Sequence, residues 1–269
     1  MPPLLESYEV RHPRVSPDLE GALVLHLTDF HLRGPWQRNA HLVRMIRLVE
    51  SGRVHPDLVC LTGDYVERRG FEDEATDLLV RLARAVQPRL GIYGIFGNHD
   101  PPELIEQVRS IPGICWLENR AVRLGELEVV GVSEPEDMIE AMLSFGAGDR
   151  PDSTSSADGD RPFRLGLAHY PTNVVPAAAM GVDLLLAGHT HGGQIRLSAR
   201  CVPHTSCDLS SATGSGMLRL GQTLCCISRG LGETVLPIRF RCPRQVSVYR
   251  LSQGPLIGDW TGIRRVRAW

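Results

Sequence analysis

Histidines and acidic residues stand at the ends of short apolar runs along this chain of 269 residues. His189 and His191 follow the run LLLAG with one residue between them and two glycines after them. Side chains two residues apart in an extended segment lie on the same face, so we expect both imidazoles to point in one direction. Gly192 and Gly193 would let the backbone turn without crowding that direction. The spacing predicts a site at which two histidines act together.

Other chemically competent residues follow four more apolar runs at their carboxyl ends. These residues are Asp29, His31, Asp64, Asn98, His99, Asp100 and His169. The carboxyl ends of the strands of an open α/β sheet lie along one edge, which is where such sheets bind ligands. We therefore expect residues that are far apart in sequence to converge with the histidine pair.

Imidazole and carboxylate groups clustered in this way are typical ligands of divalent metal ions. They bind zinc, manganese or iron, and a carboxylate that bridges two ions about 3.5–4 Å apart suits in-line displacement at phosphorus. Each motif alone is a weak signal, because an isolated aspartate at a strand exit is more often a turn or helix cap. The inference depends on the complete order of motifs, with every member at a predicted strand exit.

The elements that must position these residues alternate between strand and helix before the histidine pair. Strands are predicted within ALVLHLTDFH, PDLVCLTGDY, LGIYGIFGNHD, LEVVGVSE, FRLGLAHYP and VDLLLAGHTH, whose continuous apolar runs are typical of strands buried on both faces. Helices are predicted over 36–51 and 72–86, and a third begins with Asp100 as its cap and Pro101 at its first position. Later segments, QIRLS, GMLRLGQTLCCIS, IRFRC and QVSVYRLS, indicate further, mainly antiparallel strands. The alternation predicts an α/β fold.

Composition predicts one large domain, residues 1–269, with 42% hydrophobic residues to form its core. Lysine and arginine number 29 against 31 acidic residues, so we expect no specific nucleic-acid binding. Residues 146–162 contain no large apolar residue and are expected to form a mobile loop within this domain.

Seven cysteines without a Cys-x-x-Cys pair indicate reduced thiols. The N-terminal residues match neither a signal peptide nor a transmembrane segment, so we expect a cytoplasmic protein. A basic cluster, Arg264, Arg265 and Arg267, lies between Trp260 and Trp269. Most such tails are solvated, and peripheral membrane contact is the alternative interpretation.

The motifs TDFH, TGDY, GNHD, AHYP and GHTHGGQ, in this order, closely resemble those of the calcineurin-like metallophosphoesterase family over roughly residues 22–250. The resemblance implies a four-layer α/β/β/α sandwich of two mixed sheets flanked by helices. It also implies two bound divalent ions, Mn, Fe or Zn. The ligands would be Asp29, His31 and His191 on one ion, Asn98, His169 and His189 on the other, and Asp64 bridging both.

Two further residues would act in catalysis according to this resemblance. His99 corresponds to the family's histidine beside the leaving group, where it would donate a proton, and Asp100 would orient it. Asn98 would also help to neutralise the phosphoryl oxygens. Arg33 follows the first motif and is a candidate contact for substrate phosphate, although an exposed loop arginine is usually only solvated.

The predicted reaction is metal-assisted hydrolysis of a phosphodiester or pyrophosphate, in which a metal-bridging hydroxide attacks phosphorus in line with the leaving oxygen. The segment SRGLGETVLPIRFRCPRQVSVYRL resembles the branch that includes bacterial phosphodiesterases and lipid or UDP-diacylglucosamine pyrophosphatases. Many members of that branch carry an N-terminal membrane anchor, which we do not find in this sequence. The expected partner is a phosphoester small-molecule or lipid substrate, and the sequence does not indicate an oligomeric state.

Three alternatives stay open. A phosphomonoesterase or protein phosphatase would use the same metal ligands. A noncatalytic metal-binding scaffold on the same fold is the second alternative, because fold does not determine function. The third alternative is a hydrolase with a serine or cysteine nucleophile, but the sequence contains no Gly-x-Ser-x-Gly elbow.

Overall fold

The computed structural model describes residues 4–132, 161–197, 214–256 and 266–267, and the single positions 202, 205 and 207. Residues 146–160 of the predicted mobile loop lie outside this part of the chain, as do Arg264 and Arg265 of the basic cluster. Within the described residues, no helix combines the length and the apolar character needed to cross a membrane.

This part of the chain forms thirteen strands and four α-helices. The strands are β1 (Leu4–His12), β2 (Leu23–Leu27), β3 (Leu58–Thr62), β4 (Ile92–Ile95), β5 (Ile114–Trp116), β6 (Arg120–Leu124), β7 (Leu127–Val132), β8 (Phe163–Ala168), β9 (Leu184–Ala187), β10 (Gly216–Leu220), β11 (Thr223–Ile227), β12 (Gln245–Gln253) and β13 (Val266–Arg267). The helices are α1 (Ala40–Glu50), α2 (Glu72–Ala85), α3 (Pro102–Val108) and α4 (Val174–Ala179).

The strands are arranged in two mixed sheets. The seven-stranded sheet has the order β13-β1-β12-β2-β3-β4-β5, and β2 to β5 run parallel. The six-stranded sheet has the order β10-β11-β9-β8-β7-β6, in which β7, β8, β9 and β11 run parallel. The carboxyl ends of β2, β3, β4, β8 and β9 carry the residues that the sequence singled out.

Three buried clusters show how the layers stack. Leu25 of β2 packs with the apolar faces of α1, α2 and α3. Its neighbour Val24 packs against Leu165 of the second sheet, since successive residues of a strand face opposite sides. On the outer face of the second sheet, Leu185 packs with Ala177 of α4. The order helix, sheet, sheet, helix confirms the predicted four-layer α/β/β/α sandwich.

The helix boundaries follow from local sequence signals. The side chain of Asn39 caps α1 by accepting hydrogen bonds from the backbone N–H groups of His41 (3.0 Å) and Leu42 (3.3 Å). The third helix differs from the prediction, because Pro101 is its N-cap and no side chain caps it. The carboxylate of Asp100 instead accepts hydrogen bonds from backbone N–H groups after β3 and β4.

The strands after β9 agree with the prediction in part. The segment GMLRLGQTLCCIS forms the antiparallel hairpin of β10 and β11, although β11 then runs parallel to β9. QIRLS and IRFRC form no strand among the described residues and share a single bridge between Ile195 and Phe240. Pro237 and Pro243 flank the second segment and have no N–H to extend a ladder. The sequence did not reveal β1, β5, β6 and β13.

Candidate metal centre

The candidate ligands lie on tight turns directly after the strands. Nine non-glycine residues of the described chain have positive φ, and five of them are Asp29 (φ 53°), His31 (43°), Asp64 (57°), His189 (68°) and His191 (50°). Such left-handed backbone is unfavourable for residues with a side chain and clusters at functional sites. The turns therefore hold these side chains in one place at the expense of local stability.

The first group of converging atoms is fully buried. It consists of Asp29, His31, Asp64 and His191, each of which offers a ligand atom within 4.8 Å of the others. Nε2 of His31 lies 3.2 Å from Oδ2 of Asp64 and 3.8 Å from Oδ1 of Asp29. Nε2 of His191 lies 3.5 Å from the same oxygen of Asp29. Four nitrogen and oxygen ligand atoms thus surround one point.

The second group shares Asp64 with the first. Nε2 of His169 lies 3.1 Å from Oδ2 of Asp64 and 3.3 Å from Nδ1 of His189. Oδ1 of Asn98 lies 3.1 Å from the same nitrogen of His189. The structure therefore brings all seven sequence-predicted ligands to the sheet edge, in two groups with Asp64 between them.

Unpartnered polar atoms indicate that the first group fits a divalent cation. Oδ2 of Asp29 and Nε2 of His31 are buried and have no hydrogen-bond partner, an arrangement that is costly without a cation. The opposite ring nitrogens are already engaged: Nδ1 of His31 contacts the Glu67 carboxylate at 2.6 Å, and Nδ1 of His169 contacts the carbonyl oxygen of Thr62 at 2.7 Å. A proton on Nδ1 leaves the lone pair of Nε2 directed into the site, which is how protein histidines bind metals.

Close packing leaves room for these side chains only because the neighbouring residues are glycines. A Cβ atom on Gly97 would lie 2.3 Å from Oδ1 of Asp64 and 2.8 Å from the His169 ring, and one on Gly188 would lie 2.5 Å from Oδ2 of Asp29. Gly97 and Gly188 precede the motifs N-H-D and H-T-H, so their absence of a side chain is part of the site.

The aspartates and histidines of the candidate metal centre shift one another's pKa values. Burial alone would raise the pKa of Asp29, but His191, His31 and His169 hold it below its ordinary value. Burial would lower the pKa of His169, whereas the neighbouring Asp64 raises it to about 9. The pKa of His31 is likewise raised well above its ordinary value by Asp29, Asp64 and Glu67 despite burial. Without cations, the His169 imidazole is therefore protonated at neutral pH.

The backbone of the His-x-His pair differs from the prediction. Thr190, between the two histidines, is in the right-handed helical region (φ −76°, ψ −18°), so the segment is not extended. The imidazoles consequently separate, with His191 in the first group and His189 in the second. The hydroxyl of Thr190 donates to the carbonyl oxygen of Gly214 (2.6 Å). Gly192 is required because a Cβ there would lie 2.8 Å from Arg229.

His99 lies beside the first group. Its ring stands edge-on to that of His31 with centroids 4.8 Å apart, and its backbone N–H donates to Oδ1 of Asp64 at 2.9 Å. Nδ1 of His99 contacts the carbonyl oxygen of Glu67 at 2.8 Å. A carbonyl oxygen only accepts, so Nδ1 carries a proton and Nε2 is the nitrogen left for other chemistry.

Asp100 is predicted to orient His99, but its carboxylate contacts backbone N–H groups rather than the His99 ring. Its carboxylate accepts from the backbone N–H groups of Asp64 (2.8 Å), Tyr65 (2.7 Å) and Gly97 (2.9 Å). Burial and the nearby Asp64 raise the pKa of Asp100 to about 7. Asp100 therefore braces the turn after β3 against the turn after β4, and the contact with the His99 ring is made by Glu67.

Glu67 is a site residue that sequence reasoning missed. Its carboxylate contacts His31 and also accepts from Nη2 of Arg33 (2.9 Å) and the backbone N–H of Val235 (3.1 Å). Burial would raise the pKa of Glu67, but His31 and Val235 lower it to about 2. The sequence feature that could have indicated Glu67 is its position three residues after the candidate ligand Asp64. Arg33, predicted to contact phosphate, is placed in this ion pair.

Comparisons with known proteins agree with this geometry. The family model of the calcineurin-like phosphoesterases matches residues 22–193. The chain is 25% identical over 258 residues to the uncharacterized metallophosphoesterase YkuE of Bacillus subtilis (strain 168), covering 93% of this chain and 86% of that protein. It is 29% identical over 209 residues to the phosphodiesterase YaeI of Escherichia coli (strain K12), and the match covers 73% of this chain and 70% of that protein.

A solved structure supports the fold. The protein TT1561 of Thermus thermophilus aligns with a TM-score of 0.51 and 13% identity over 78% of this chain and 90% of that one. The family match spans more than half of the chain and includes every candidate ligand. The chain therefore belongs to the calcineurin-like phosphoesterase family and is a phosphoester hydrolase.

Proposed function

We propose that the protein is a dinuclear metal-dependent phosphodiesterase or pyrophosphatase. The observation that supports this most strongly is the position of Asp64. One oxygen of its carboxylate, Oδ2, lies 3.2 Å from Nε2 of His31 and 3.1 Å from Nε2 of His169. A single carboxylate between two histidine groups is the arrangement that a pair of bridged divalent ions requires.

The proposed ligand sets follow from the two groups. Asp29, His31 and His191 would hold one ion, Asn98, His169 and His189 the other, and Asp64 both. Mn²⁺, Fe and Zn²⁺ all suit this mixture of imidazole, carboxylate and amide ligands. Such ions supply Lewis-acid stabilisation of phosphoryl oxygens and lower the pKa of bound water toward neutrality.

The chain's own residues would complete the reaction. The protonated His99 ring, held through Nδ1 by the Glu67 carbonyl, would donate a proton from Nε2 to the leaving oxygen. The exposed amide of Asn98 would contact a phosphoryl oxygen. Asp100 would hold the turn that carries Asp64 at a fixed distance from the turn that carries His99. Their combined effect is to fix the proton donor relative to the metal ligands.

The preference for a diester rests on the relative YaeI, which is named a phosphodiesterase, and the preference for a pyrophosphate on the resemblance of the segment SRGLGETVLPIRFRCPRQVSVYRL. A substrate panel tests it. Purified protein is treated with a chelator, reloaded with Mn²⁺, Fe²⁺ or Zn²⁺, and assayed on bis-p-nitrophenyl phosphate, p-nitrophenyl phosphate and a nucleotide pyrophosphate. We expect activity on diester or pyrophosphate that the chelator abolishes and a metal restores. Chelator-resistant activity would contradict the metal mechanism, and activity on the monoester alone would favour a phosphomonoesterase.

A further inference from the structure

An apolar surface lies beside the candidate metal centre. Seven large apolar side chains are exposed among the described residues, and four of them fall within 235–240. A fifth, Leu197, lies near Phe240, since Nη1 of Arg241 donates to its carbonyl oxygen at 2.8 Å and the N–H of Arg196 donates to the carbonyl oxygen of Phe240 at 3.0 Å. We call the five residues the apolar rim: Val235 (80% exposed), Leu236 (54%), Ile238 (55%), Phe240 (50%) and Leu197 (56%).

The backbone holds these side chains outward. The N–H of Val235 donates to Glu67, and the N–H of Phe240 donates to the carbonyl oxygen of Gln194 at 2.9 Å. Val235 has φ 57°, a strained conformation for a β-branched residue. Single exposed apolar residues are ordinary, but a contiguous group on a fixed backbone marks a contact surface. Strain at Val235 further indicates that this exposure has a function.

Positive charge accompanies the apolar rim. The guanidinium of Arg241 lies 5.5 Å from the centroid of the Phe240 ring and is exposed. Nearby, Glu233 pairs with Arg239 (3.8 Å) and with Arg244. Of the four arginines near the rim, Arg239 and Arg244 are largely buried and paired with Glu233, and Arg33 is paired with Glu67, whereas Arg241 is exposed and contacts the carbonyl oxygen of Leu197. The positive charge of Arg241, at the edge of the apolar rim, complements an anionic surface.

We propose that the apolar rim docks onto an anionic lipid bilayer. Exposed aliphatic and aromatic side chains with an arginine at their edge are features of segments that insert at headgroup level. Val235 is joined to the candidate ligand His31 through the Glu67 carboxylate alone, by contacts of 3.1 Å and 2.6 Å. Docking would bring the metal centre to the bilayer surface.

Vesicle sedimentation tests the proposal with the full chain. We expect binding to vesicles of phosphatidylcholine with 25% phosphatidylglycerol, and weaker binding to phosphatidylcholine alone. The triple substitution Leu236→Ser, Ile238→Ser, Phe240→Ser should lower the partition coefficient at least about tenfold, since each buried CH₂ adds to membrane affinity. Arg241→Gln should weaken binding to the anionic vesicles only. Leu220→Ser, at another exposed apolar position, is the matched control and should bind like the parent protein.

Two further measurements separate the outcomes. The triple variant should keep the parent melting temperature and hydrolyse soluble bis-p-nitrophenyl phosphate at the parent rate, because its substitutions lie outside the metal ligands. Unchanged vesicle binding in that variant, or equal binding to neutral and anionic vesicles, would overturn the proposal. A dimer that forms without lipid and disappears in the triple variant would also overturn it, in favour of a second copy of the chain. Failure of the proposed hydrolysis would leave vesicle binding intact, so the two failures are distinguishable.

Discussion

At the scale of single residues, Asp64 is the position on which both proposed ions depend. We predict that Asp64→Asn lowers metal content at both positions and abolishes activity, because the amide loses the charge that bridges them. His191→Ala should chiefly weaken one ion, since His191 approaches Asp29 and not the second group. Elemental analysis with activity measurements checks this. Equal loss of a single ion in both variants would contradict the bridging assignment.

His99 is predicted to act as a proton donor. His99→Asn should retain both metals and still hydrolyse an activated nitrophenyl diester, while hydrolysis of an alkyl diester falls by roughly 10²–10⁴-fold. The reason is that a basic leaving oxygen needs a proton and a nitrophenolate does not. If both substrates slow equally with full metal content, His99 binds phosphate; if metal content also falls, it is a ligand.

Glu67 is predicted to position His31 for metal binding. Glu67→Gln keeps the shape of the side chain but removes the charge that meets Nδ1 of His31. Loss of such a partner typically weakens metal binding or activity by about 10–100-fold, which a Mn²⁺ titration would measure. Glu72→Gln, at the partly exposed start of α2, is the control. Equal affinities in the two variants would show that Glu67 has no such role.

At the scale of elements, the sequence located the site but not its turns. Apolar runs predicted the strands and hence the edge where their carboxyl ends meet. The left-handed backbone at Asp64 and His191 was not predictable from the runs, because it is imposed by packing between turns. Glu67 was missed for the same reason: its contacts with His31 and Val235 join segments that are distant in sequence.

The turn after β9 permits a test with matched glycines. Gly192 (φ 63°) and Gly221 (φ 60°) have similar backbones, so alanine at either position adds about 1–2 kcal/mol of left-handed strain. At Gly192 the new Cβ would also lie 2.8 Å from Arg229 and Cys242, whereas Gly221 has open space. We expect Gly192→Ala to lower the free energy of unfolding by a further 1–3 kcal/mol or so. Equal urea midpoints for the two variants would contradict this packing.

At the scale of the whole molecule, the sequence pattern predicted the helix and sheet layers but not the strands at the edges of the sheets. Continuous apolar runs identified the central parallel strands of both sheets. β1 was missed because it pairs with β12, which lies more than 200 residues away, and local periodicity carries no information about such pairing. The division of the ligands between the sheets was likewise visible only after folding.

That division makes metal binding a link between the sheets. Turns after β2, β3 and β4 supply Asp29, His31, Asp64 and Asn98, whereas turns after β8 and β9 supply His169, His189 and His191. Each proposed ion would therefore be held by residues from both sheets. Ions that bind only the folded chain must stabilise it against unfolding.

We predict that Mn²⁺ raises the melting temperature and that the rise grows with pH. At a Mn²⁺ concentration of one hundred times the dissociation constant, each site adds about 2.7 kcal/mol to the free energy of unfolding. In the metal-free protein the pKa of His169 is about 9, so below that pH Mn²⁺ must displace a proton and its apparent affinity falls as the solution becomes more acidic. Melting curves with and without Mn²⁺ at pH 6 and pH 8 should show the larger shift at pH 8, and Asp64→Asn should show little shift at either. A shift that is equal at both pH values would mean that the ions do not compete with protons on these histidines.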